Sequence, residues 1–483
     1  MMVGIAVKST EIRVILGIAA GLLVSLSAGS RAADRPPLAT GQVIESVACI
    51  QDPGQTYSIY LPSAYTPDRS WPVIYAFDPG ARGVRPVQRL QAAAERFGYI
   101  VIGSNVSRNF EPKLSVEAAD AMWADSHVRL SIDSRRVYTL GFSGGARLAS
   151  GLAVVSRDFT GVIACGAAFD PKHPPHNRRP ALFVGIVGLE DMNYPEMRDA
   201  ESSLREAQVP HRLFFFDGGH DWPPADMFLD VLAWLRLRTI RDGLEPPDPT
   251  FLKDEFQRRF ESAARARMSE NLLEAGRIYA ELIEDFDGLI DIGAVTVQLN
   301  QLHRDSIYRQ SEKRDRHLRT EEDEWLRKLD RQFVQIRNTP MESRAIDGAV
   351  KDWCRQINGF RNRRDTSRDV DERRLYLRLH EFVWRRAYEE AILYSRQREY
   401  VRTALLLEIA RCGSPDDPIV LFSLGKTYAR LADTDRAIRC LADAAAHGFH
   451  NAPALDDPAF AGLEHLPEFQ SLRQRISGNP VTP

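Results

Sequence analysis

A serine flanked by glycines directly follows a run of apolar residues. Ser143 lies in Gly141-Phe142-Ser143-Gly144-Gly145, a segment of the form G-x-S-x-G, after the apolar residues 137–140. A serine hydroxyl attacks a carbonyl carbon well only when a neighbouring base removes its proton, and a tight turn after a strand holds the hydroxyl clear of a sheet. The segment therefore predicts a nucleophile at Ser143, with the backbone N–H of Gly144 as a donor to the oxyanion of acyl transfer.

A histidine further along the chain is the candidate base. His220 lies in Asp217-Gly218-Gly219-His220-Asp221-Trp222, between an apolar run and a helical pattern. A carboxylate must then hold the imidazole in the right tautomer and offset its charge in the transition state. Asp191 fits because it follows a long apolar run, whereas Glu190 beside it and Asp170 at the end of the preceding run are the alternatives. Together with the serine, this pair predicts a proton relay.

Short apolar runs alternate with helical patterns around these residues. An antiparallel strand pair is predicted at 42–61, and the later runs, rich in Val, Ile, Leu and Phe, are typical of parallel strands covered on both faces. The predicted fold class is therefore α/β, with a mostly parallel sheet flanked by helices. The apolar runs are residues 72–77, 100–103, 136–140, 161–164, 181–187 and 212–216. The helical patterns are residues 87–97, 116–129, 146–156, 194–207 and 222–238.

In α/β-hydrolases, which this chain resembles, the loop after the first of these runs supplies a second oxyanion donor. It reads Asp78-Pro79-Gly80-Ala81-Arg82, and proline has no N–H to donate. The donor is predicted to be the N–H of Gly80, with that of Ala81 as the alternative. Ligands of such sheets bind at the carboxyl ends of the strands. Side chains in these loops that could line a pocket are Arg82, Asn105, Arg108, Tyr194 and Trp222.

Residues 57–238 resemble an α/β-hydrolase of the exported esterase or dienelactone-hydrolase-like kind, because they combine the serine motif with the chain order Ser143, Asp191, His220. The resemblance implies a serine hydrolase that cleaves a small-molecule acyl ester through an acyl-enzyme, without metal or organic cofactor. Relatives commonly carry His-Gly where this chain has Asp78-Pro79. An acyl-aminoacyl or small-peptide hydrolase, or an inactive hydrolase fold that acts as an interaction scaffold, are the alternatives.

The rest of the chain has a helical pattern. Residues 243–250, with three prolines, predict a linker between a hydrolase domain at 40–242 and an all-helical domain at 251–483. Ala391, Tyr394, Leu407 and Ala410 are matched 34 positions later by Gly425, Tyr428, Leu441 and Ala444. This is the tetratricopeptide period, and the region resembles such repeats most clearly at 384–450. Repeats of this kind predict a surface for a protein partner.

The composition excludes some classes of partner. A chain of 483 residues with a formal net charge of -3 has no field that would attract nucleic acid. Lys8 and Arg13 precede an apolar run at 14–26, and small residues follow, which predicts a cleaved signal peptide at 1–33 and export to the periplasm or beyond. That run is too short for a membrane anchor, the alternative, so no stable membrane span is expected after cleavage.

The cysteines do not predict a metal site. The chain has five cysteines and no C-x-x-C pair, which argues against zinc and against a disulfide framework. An oxidising compartment would permit Cys49 to pair with Cys165. Buried free thiols are the preferred interpretation for these two residues.

Overall fold

The computed structural model describes residues 37–176, 180–339 and 346–478. These residues divide into two compact units, with the boundary between Arg316 and His317. The predicted signal peptide lies outside the described residues. The predicted linker at 243–250 lies within the first unit, and its last two residues, Pro249 and Thr250, already begin a helix. None of the helices within the described ranges is both long and apolar enough to cross a membrane.

One sheet organises the first unit. Its strands are β1 (Val43–Ala48), β2 (Thr56–Tyr60), β3 (Trp71–Phe77), β4 (Ile100–Ser104), β5 (Ile132–Phe142), β6 (Gly161–Cys165), β7 (Leu182–Gly188) and β8 (His211–Phe216). The spatial order is β1-β2-β4-β3-β5-β6-β7-β8. β2 pairs antiparallel with β1 and with β4, and every other pair is parallel. The predicted α/β class and its antiparallel strand pair are confirmed.

Five helices cover the two faces of this sheet. They are α1 (Val84–Phe97), α2 (Pro112–Arg129), α3 (Gly144–Val155), α4 (Tyr194–Glu206) and α5 (Met227–Arg241). Side chains of α1 and α5 join the core on one face, and those of α2, α3 and α4 join the core on the other. β3, β6 and β7 are buried along their whole length, as their apolar composition requires. Because these strands are parallel, their carboxyl ends share one edge of the sheet, and the candidate residues lie at that edge.

The last of the helices that pack on the sheet, α5, begins later in the chain than predicted. The sequence pattern indicated a helix from Trp222, but α5 starts at Met227. The Trp222 indole is buried and donates its Nε1–H to Asp78 at 2.8 Å, and Pro223 and Pro224 follow it. Because the indole is fixed and two consecutive residues lack an N–H, the chain turns before it becomes helical.

A helical extension completes the first unit. Its helices are α6 (Pro249–Met268), α7 (Leu272–Phe286), α8 (Gly293–Arg304) and the beginning of α9 (Ser306–Asn338). They share an apolar core with the end of α5. A buried ion cluster ties α7 to the sheet: Asp285 accepts hydrogen bonds from Arg212 of β8 at 2.7 Å, Arg259 of α6 at 2.7 Å and Trp234 of α5 at 3.1 Å.

Replacing Asp285 with alanine should lower the free energy of unfolding by about 3–5 kcal/mol, because Arg212 would remain buried without its closest partner. Burial acts to raise the pKa of Asp285, but the charges of Arg212 and Arg259 hold it below its usual value. The stabilisation that the Asp285 carboxylate contributes is therefore complete at pH values above 3.8, the pKa of an aspartate in the unfolded chain. It is lost as the pH falls through the lower pKa that Asp285 has in the folded protein. Urea unfolding of both proteins at pH 7 and in acid measures this, and the two curves should converge in acid.

Glu284→Ala is the matched control, since this carboxylate is 3.6 Å from Arg212 but largely exposed. This substitution should lower the free energy of unfolding by about 1 kcal/mol or less. Equal losses for the two variants would show that the cluster does not fasten the extension to the sheet.

The second unit is built from helices. It contains the rest of α9 and α10 (Ile346–Thr366), α11 (Val370–Arg396), α12 (Tyr400–Gly413), α13 (Pro418–Arg430), α14 (Thr434–Ala446) and α15 (Pro467–Gly478). The principal helix pairs are α11 with α12 and α13 with α14. A Cβ on Gly425 of α13 would lie 2.7 Å from the Leu441 side chain of α14, so this glycine permits the two helices to approach closely.

Two cysteines of the second unit form a disulfide. Cys354 of α10 pairs with Cys412 of α12, 58 residues later, with their Cα atoms 5.2 Å apart. Cys49, Cys165 and Cys440 are free and buried, so the interpretation of Cys49 and Cys165 as buried thiols is confirmed. Burial raises the pKa of Cys49 to about 11 and that of Cys440 to about 12. These thiols stay protonated at neutral pH and are poor nucleophiles.

Candidate active site

Ser143 occupies a strained turn between β5 and α3. Its φ of 53° and ψ of -119° are rare for a residue with a side chain. The turn is held by β6, because the Ser143 N–H donates to the Cys165 carbonyl at 2.8 Å. The Ser143 carbonyl accepts from the N–H groups of Ala146 and Arg147 in the first turn of α3. The hydroxyl group is thereby lifted to the edge of the sheet, where the residue is half-buried.

Close backbone contacts explain two of the glycines in the motif. A Cβ on Gly141 would lie 2.1 Å from the Gly145 carbonyl oxygen, and a Cβ on Gly145 would lie 2.1 Å from the carbonyl oxygen of Phe77. Phe77 ends β3, so the turn packs directly on the neighbouring strand. Any side chain at either position would push the turn away from the sheet.

The structure brings the three predicted relay residues together. His220 Nε2 is 2.9 Å from the Ser143 hydroxyl oxygen, and His220 Nδ1 is 2.9 Å and 3.0 Å from the two carboxylate oxygens of Asp191. Asp191 is fully buried and the His220 side chain is 8% exposed. A neutral imidazole that donates Nδ1–H to Asp191 has its Nε2 lone pair free to accept the serine proton.

A residue that the sequence analysis did not select fixes the acid. The N–H of Asn193 donates to Asp191 Oδ1 at 2.8 Å, and the Asn193 side chain donates to the Gly166 carbonyl at 2.7 Å. The first bond is an Asx turn, for which an Asp two residues before the donor is the only sequence signal. Asp170, an alternative acid, lies 3.5 Å from His173 instead. Among the described residues, no hydrogen bond or ion pair joins Glu190 to His220.

An ion pair braces the loop that lies between the nucleophile and the acid. Arg147 of α3 contacts Glu196 of α4 at 2.7 Å. Arg147 also donates to the Ala168 carbonyl at 3.1 Å, and Glu196 accepts the Ala168 N–H at 3.0 Å. Both charges are mostly buried, so this pair joins the helix after Ser143 to the helix after Asp191. No sequence pattern links Arg147 to Glu196, because the two residues are 49 positions apart.

The predicted second oxyanion donor is wrong for Gly80. Its N–H donates to Asp78 Oδ1 at 2.8 Å, and the N–H of Ala81 points to the Asp78 carbonyl at 3.3 Å. Arg82 Nε also donates to Asp78 Oδ1 at 2.8 Å. The fully buried carboxylate of Asp78 thus uses the N–H that an oxyanion would need. Gly144 differs, because its N–H belongs to the first turn of α3, where N–H groups have no acceptor within the helix.

Trp222 is a structural residue and not a pocket side chain, which corrects a second prediction. It is only 3% exposed, and its Nε1–H is satisfied by Asp78. Its ring lies 5.5 Å from that of Phe142, which in turn lies 4.8 Å from the His220 ring. Phe142 is therefore in tilted ring contact with both the Trp222 indole and the imidazole.

Asn105 is also structural. Its amide nitrogen donates to the Glu45 carbonyl at 3.0 Å, and its amide oxygen accepts from the Ser58 hydroxyl at 2.9 Å. These bonds attach the end of β4 to β1 and β2 and leave the amide no role in a pocket. The prediction for Asn105 was wrong because the sequence does not show which strand its loop contacts.

The other predicted pocket residues have different surroundings. The Tyr194 ring packs 5.6 Å from that of Phe215, at the start of α4. Arg82 is half exposed although it is paired with Asp78. Arg108 is exposed, and its backbone pairs with that of Gly80. Beside Arg108, the Asn109 side chain lies against Gly144, a neighbour that the sequence analysis did not identify.

Comparison with known proteins finds distant likenesses among solved structures. No protein-family model matches the chain, and no curated protein matches it. The S-formylglutathione hydrolase FrmB of Staphylococcus aureus is 13% identical over 41% of this chain and 96% of its own, with a TM-score of 0.32. Esterase 2 of Thermogutta terrifontis, phosphonylated by sarin, is 13% identical over 40% of this chain and 92% of its own, with a TM-score of 0.32.

A ferulic acid esterase is 16% identical over 40% of this chain and 94% of its own, with a TM-score of 0.30. The first unit is an α/β fold with a mostly parallel eight-stranded sheet. Likeness at this level of identity and TM-score carries no conclusion about activity or substrate. Within the described residues, no three His, Cys, Asp or Glu side chains are grouped so that they could hold a metal ion.

Proposed function

We propose that this protein is a serine hydrolase that cleaves a carboxylic ester through an acyl-enzyme on Ser143. The observation that carries the proposal is the continuous relay Ser143–His220–Asp191, with contacts of 2.9 Å on both sides of the imidazole. A strained turn, held by two glycines that tolerate no side chain, presents the hydroxyl. An arrangement that costs conformational energy and leaves a basic nitrogen at a hydroxyl is suited to nucleophilic catalysis.

The proposed chemistry has two stages, acylation of Ser143 and hydrolysis of the acyl-enzyme. His220 Nε2 takes the Ser143 proton as the serine oxygen bonds to the ester carbonyl carbon, and the Gly144 N–H stabilises the resulting oxyanion. The C–O bond to the alcohol then breaks, and the alcohol leaves with the proton from His220. Water, deprotonated by the same nitrogen, attacks the acyl-enzyme, and the acid departs as Ser143 regains its proton. Asp191 holds the tautomer and offsets the imidazolium charge throughout.

A fluorophosphonate probe tests the proposal directly, since it phosphonylates an activated serine. The wild-type chain is expected to gain one probe mass on the peptide that contains Ser143, and Ser143→Ala is expected to gain none. A folded wild type that does not react would contradict catalysis and favour an interaction scaffold. The occupied Gly80 N–H is the observation that favours the scaffold.

Matched esters and anilides of increasing acyl length determine the bond that is cleaved. Ester cleavage in preference to amide cleavage is expected. The acyl-aminoacyl or small-peptide alternative predicts comparable rates on both. A preference for anilides would contradict the ester proposal while it leaves the role of Ser143 intact.

We also infer that the second unit is a tetratricopeptide-like array that binds a protein partner. The helix pairs α11 with α12 and α13 with α14, in phase with the 34-residue repeat, support this. Export is supported by the Cys354–Cys412 disulfide, because such bonds persist in oxidising compartments. N-terminal sequencing of the mature protein from a fractionated host tests export; a full-length cytoplasmic chain would contradict it.

A further inference from the structure

The proposed active site lacks a second oxyanion donor. An oxyanion is usually held by two donors, and Gly144 supplies one of them. The two N–H groups expected to supply the second, those of Gly80 and Ala81, are directed at the carboxylate and the carbonyl of Asp78. A donor from another element must therefore complete the site if the relay is catalytic.

The loop between β4 and α2 is attached to this place. The N–H of Asn109 donates to the Pro79 carbonyl at 2.9 Å, and Arg108 pairs with Gly80 as an isolated antiparallel bridge. The next residue, Phe110, has a φ of 64°, which turns the chain sharply after Asn109. The backbone of Asn109 is thereby fixed beside the loop that carries Asp78.

The surroundings of Gly144 show where the Asn109 side chain lies. A Cβ on Gly144 would be 1.8 Å from Asn109 Oδ1 and 3.0 Å from Asn109 Nδ2. Gly144 is not among the glycines with positive φ, so its backbone would accept another residue. The amide of Asn109 therefore requires the glycine. Since a Cβ lies about 2.5 Å from its own nitrogen, the amide oxygen is no more than about 4.3 Å from the Gly144 nitrogen.

This amide is available for a substrate. The Asn109 side chain is half-buried and makes no hydrogen bond with any residue that the structure describes. Rotation about its last torsion angle exchanges oxygen and nitrogen at little cost, because that torsion is broad and the amide has no partner to lose. Either orientation keeps the group beside the Gly144 N–H.

We propose that the Asn109 side chain is the second oxyanion donor, with Nδ2–H directed at the same oxygen as the Gly144 N–H. The inference rests on the proposed ester hydrolysis. A side-chain amide here replaces the backbone N–H that Asp78 has taken. The two donors would belong to different elements, the first turn of α3 and the β4–α2 loop, so the oxyanion site is complete only when the Asn109 loop stays attached to Pro79.

Asn109→Ala in the full chain should lower kcat for a short-chain ester about 100-fold and change KM less than about 3-fold, because the donor acts on the charge that develops in the transition state. Asn109→Asp should lower kcat at least as much, since a carboxylate only accepts hydrogen bonds. The thermal midpoint of Asn109→Ala should match that of the wild type, as the amide has no partner in the described residues. A structural role would instead lower that midpoint.

A double-mutant cycle tests the contact itself. Gly144→Ala should lower the thermal midpoint in the wild-type background and much less in the Asn109→Ala background, because the three atoms nearest to the new Cβ, at 1.8, 2.7 and 3.0 Å, all belong to the Asn109 amide. Equal effects in both backgrounds would overturn the placement of Asn109. A wild type that hydrolyses esters while Asn109→Ala keeps its kcat would overturn the donor role alone. A wild type without hydrolysis or probe labelling would overturn the proposed function as well.

Discussion

Ser143→Ala is expected to lower kcat for the best ester substrate on the order of 10⁶-fold, to the rate that binding and oxyanion contacts alone sustain. The reason is that no other side chain can form the acyl-enzyme: His220 Nε2 faces only this hydroxyl among the described residues. Steady-state kinetics and an active-site titration of the same preparation measure the effect. KM should change little, since the substitution removes one oxygen atom from an otherwise unchanged site.

His220→Ala provides the first control. It should lower kcat about as much as Ser143→Ala does. The double variant should lower kcat no further, because the two groups act as one unit. Additive losses would contradict the relay.

Ser143→Gly provides the second control. Glycine suits the φ of 53° at this position, and alanine does not. Both variants should be inactive, but Ser143→Gly should unfold at a higher temperature than Ser143→Ala. A lower midpoint for the glycine variant would show that the turn is not strained.

The sheet could be predicted from the sequence because its parallel strands are covered on both faces. β3, β6 and β7 are buried throughout, and each is a continuous apolar run that stands out from the helical patterns around it. The start of α5 could not be predicted in the same way. The segment from Trp222 reads as amphipathic helix, but the contact of its indole with Asp78, 144 positions earlier, together with Pro223 and Pro224 delays the start of the helix.

The relay could be predicted because it follows from chain order and strand ends, whereas its supports could not. Whether Gly80 offers its N–H to a ligand depends on where the Asp78 carboxylate turns, two residues away. A sequence shows that Pro79 cannot donate, but it does not show that a neighbouring side chain has used the next donor. Asn109 carries no motif at all, and its contact with Gly144 becomes visible only when the β4–α2 loop is placed.

The cysteines illustrate the same limit. Cys49 and Cys165 were the natural pair to consider in the front half, yet both are buried and free. The disulfide joins Cys354 to Cys412, which lie in helices α10 and α12. Sequence separation gives no information on the distance between cysteine side chains, and helix packing decides it.

Asp191→Asn is the second large effect, with an expected fall in kcat of about 10⁴-fold near neutral pH. The asparagine amide is nearly the same size, and its oxygen can still accept the Asn193 N–H, so the fold is expected to survive. The amide can instead offer an N–H to His220 Nδ1, which favours the tautomer with the proton on Nε2. With a proton already on Nε2, His220 cannot accept the proton of the Ser143 hydroxyl.

Conservative changes at the alternative acids complete this test. Asp170→Asn should retain most of the activity, because that carboxylate faces His173. Glu190→Gln should do the same, since the structure places only the Asp191 carboxylate in hydrogen-bond contact with His220 among the described residues. If Asp191→Asn remained active and either of the others lost activity, the acid would be wrongly assigned and the buried Asp191 would serve the loop alone. If only Asp191→Asn fails, and its far-ultraviolet spectrum and thermal midpoint match the wild type, the loss lies in proton transfer and not in folding.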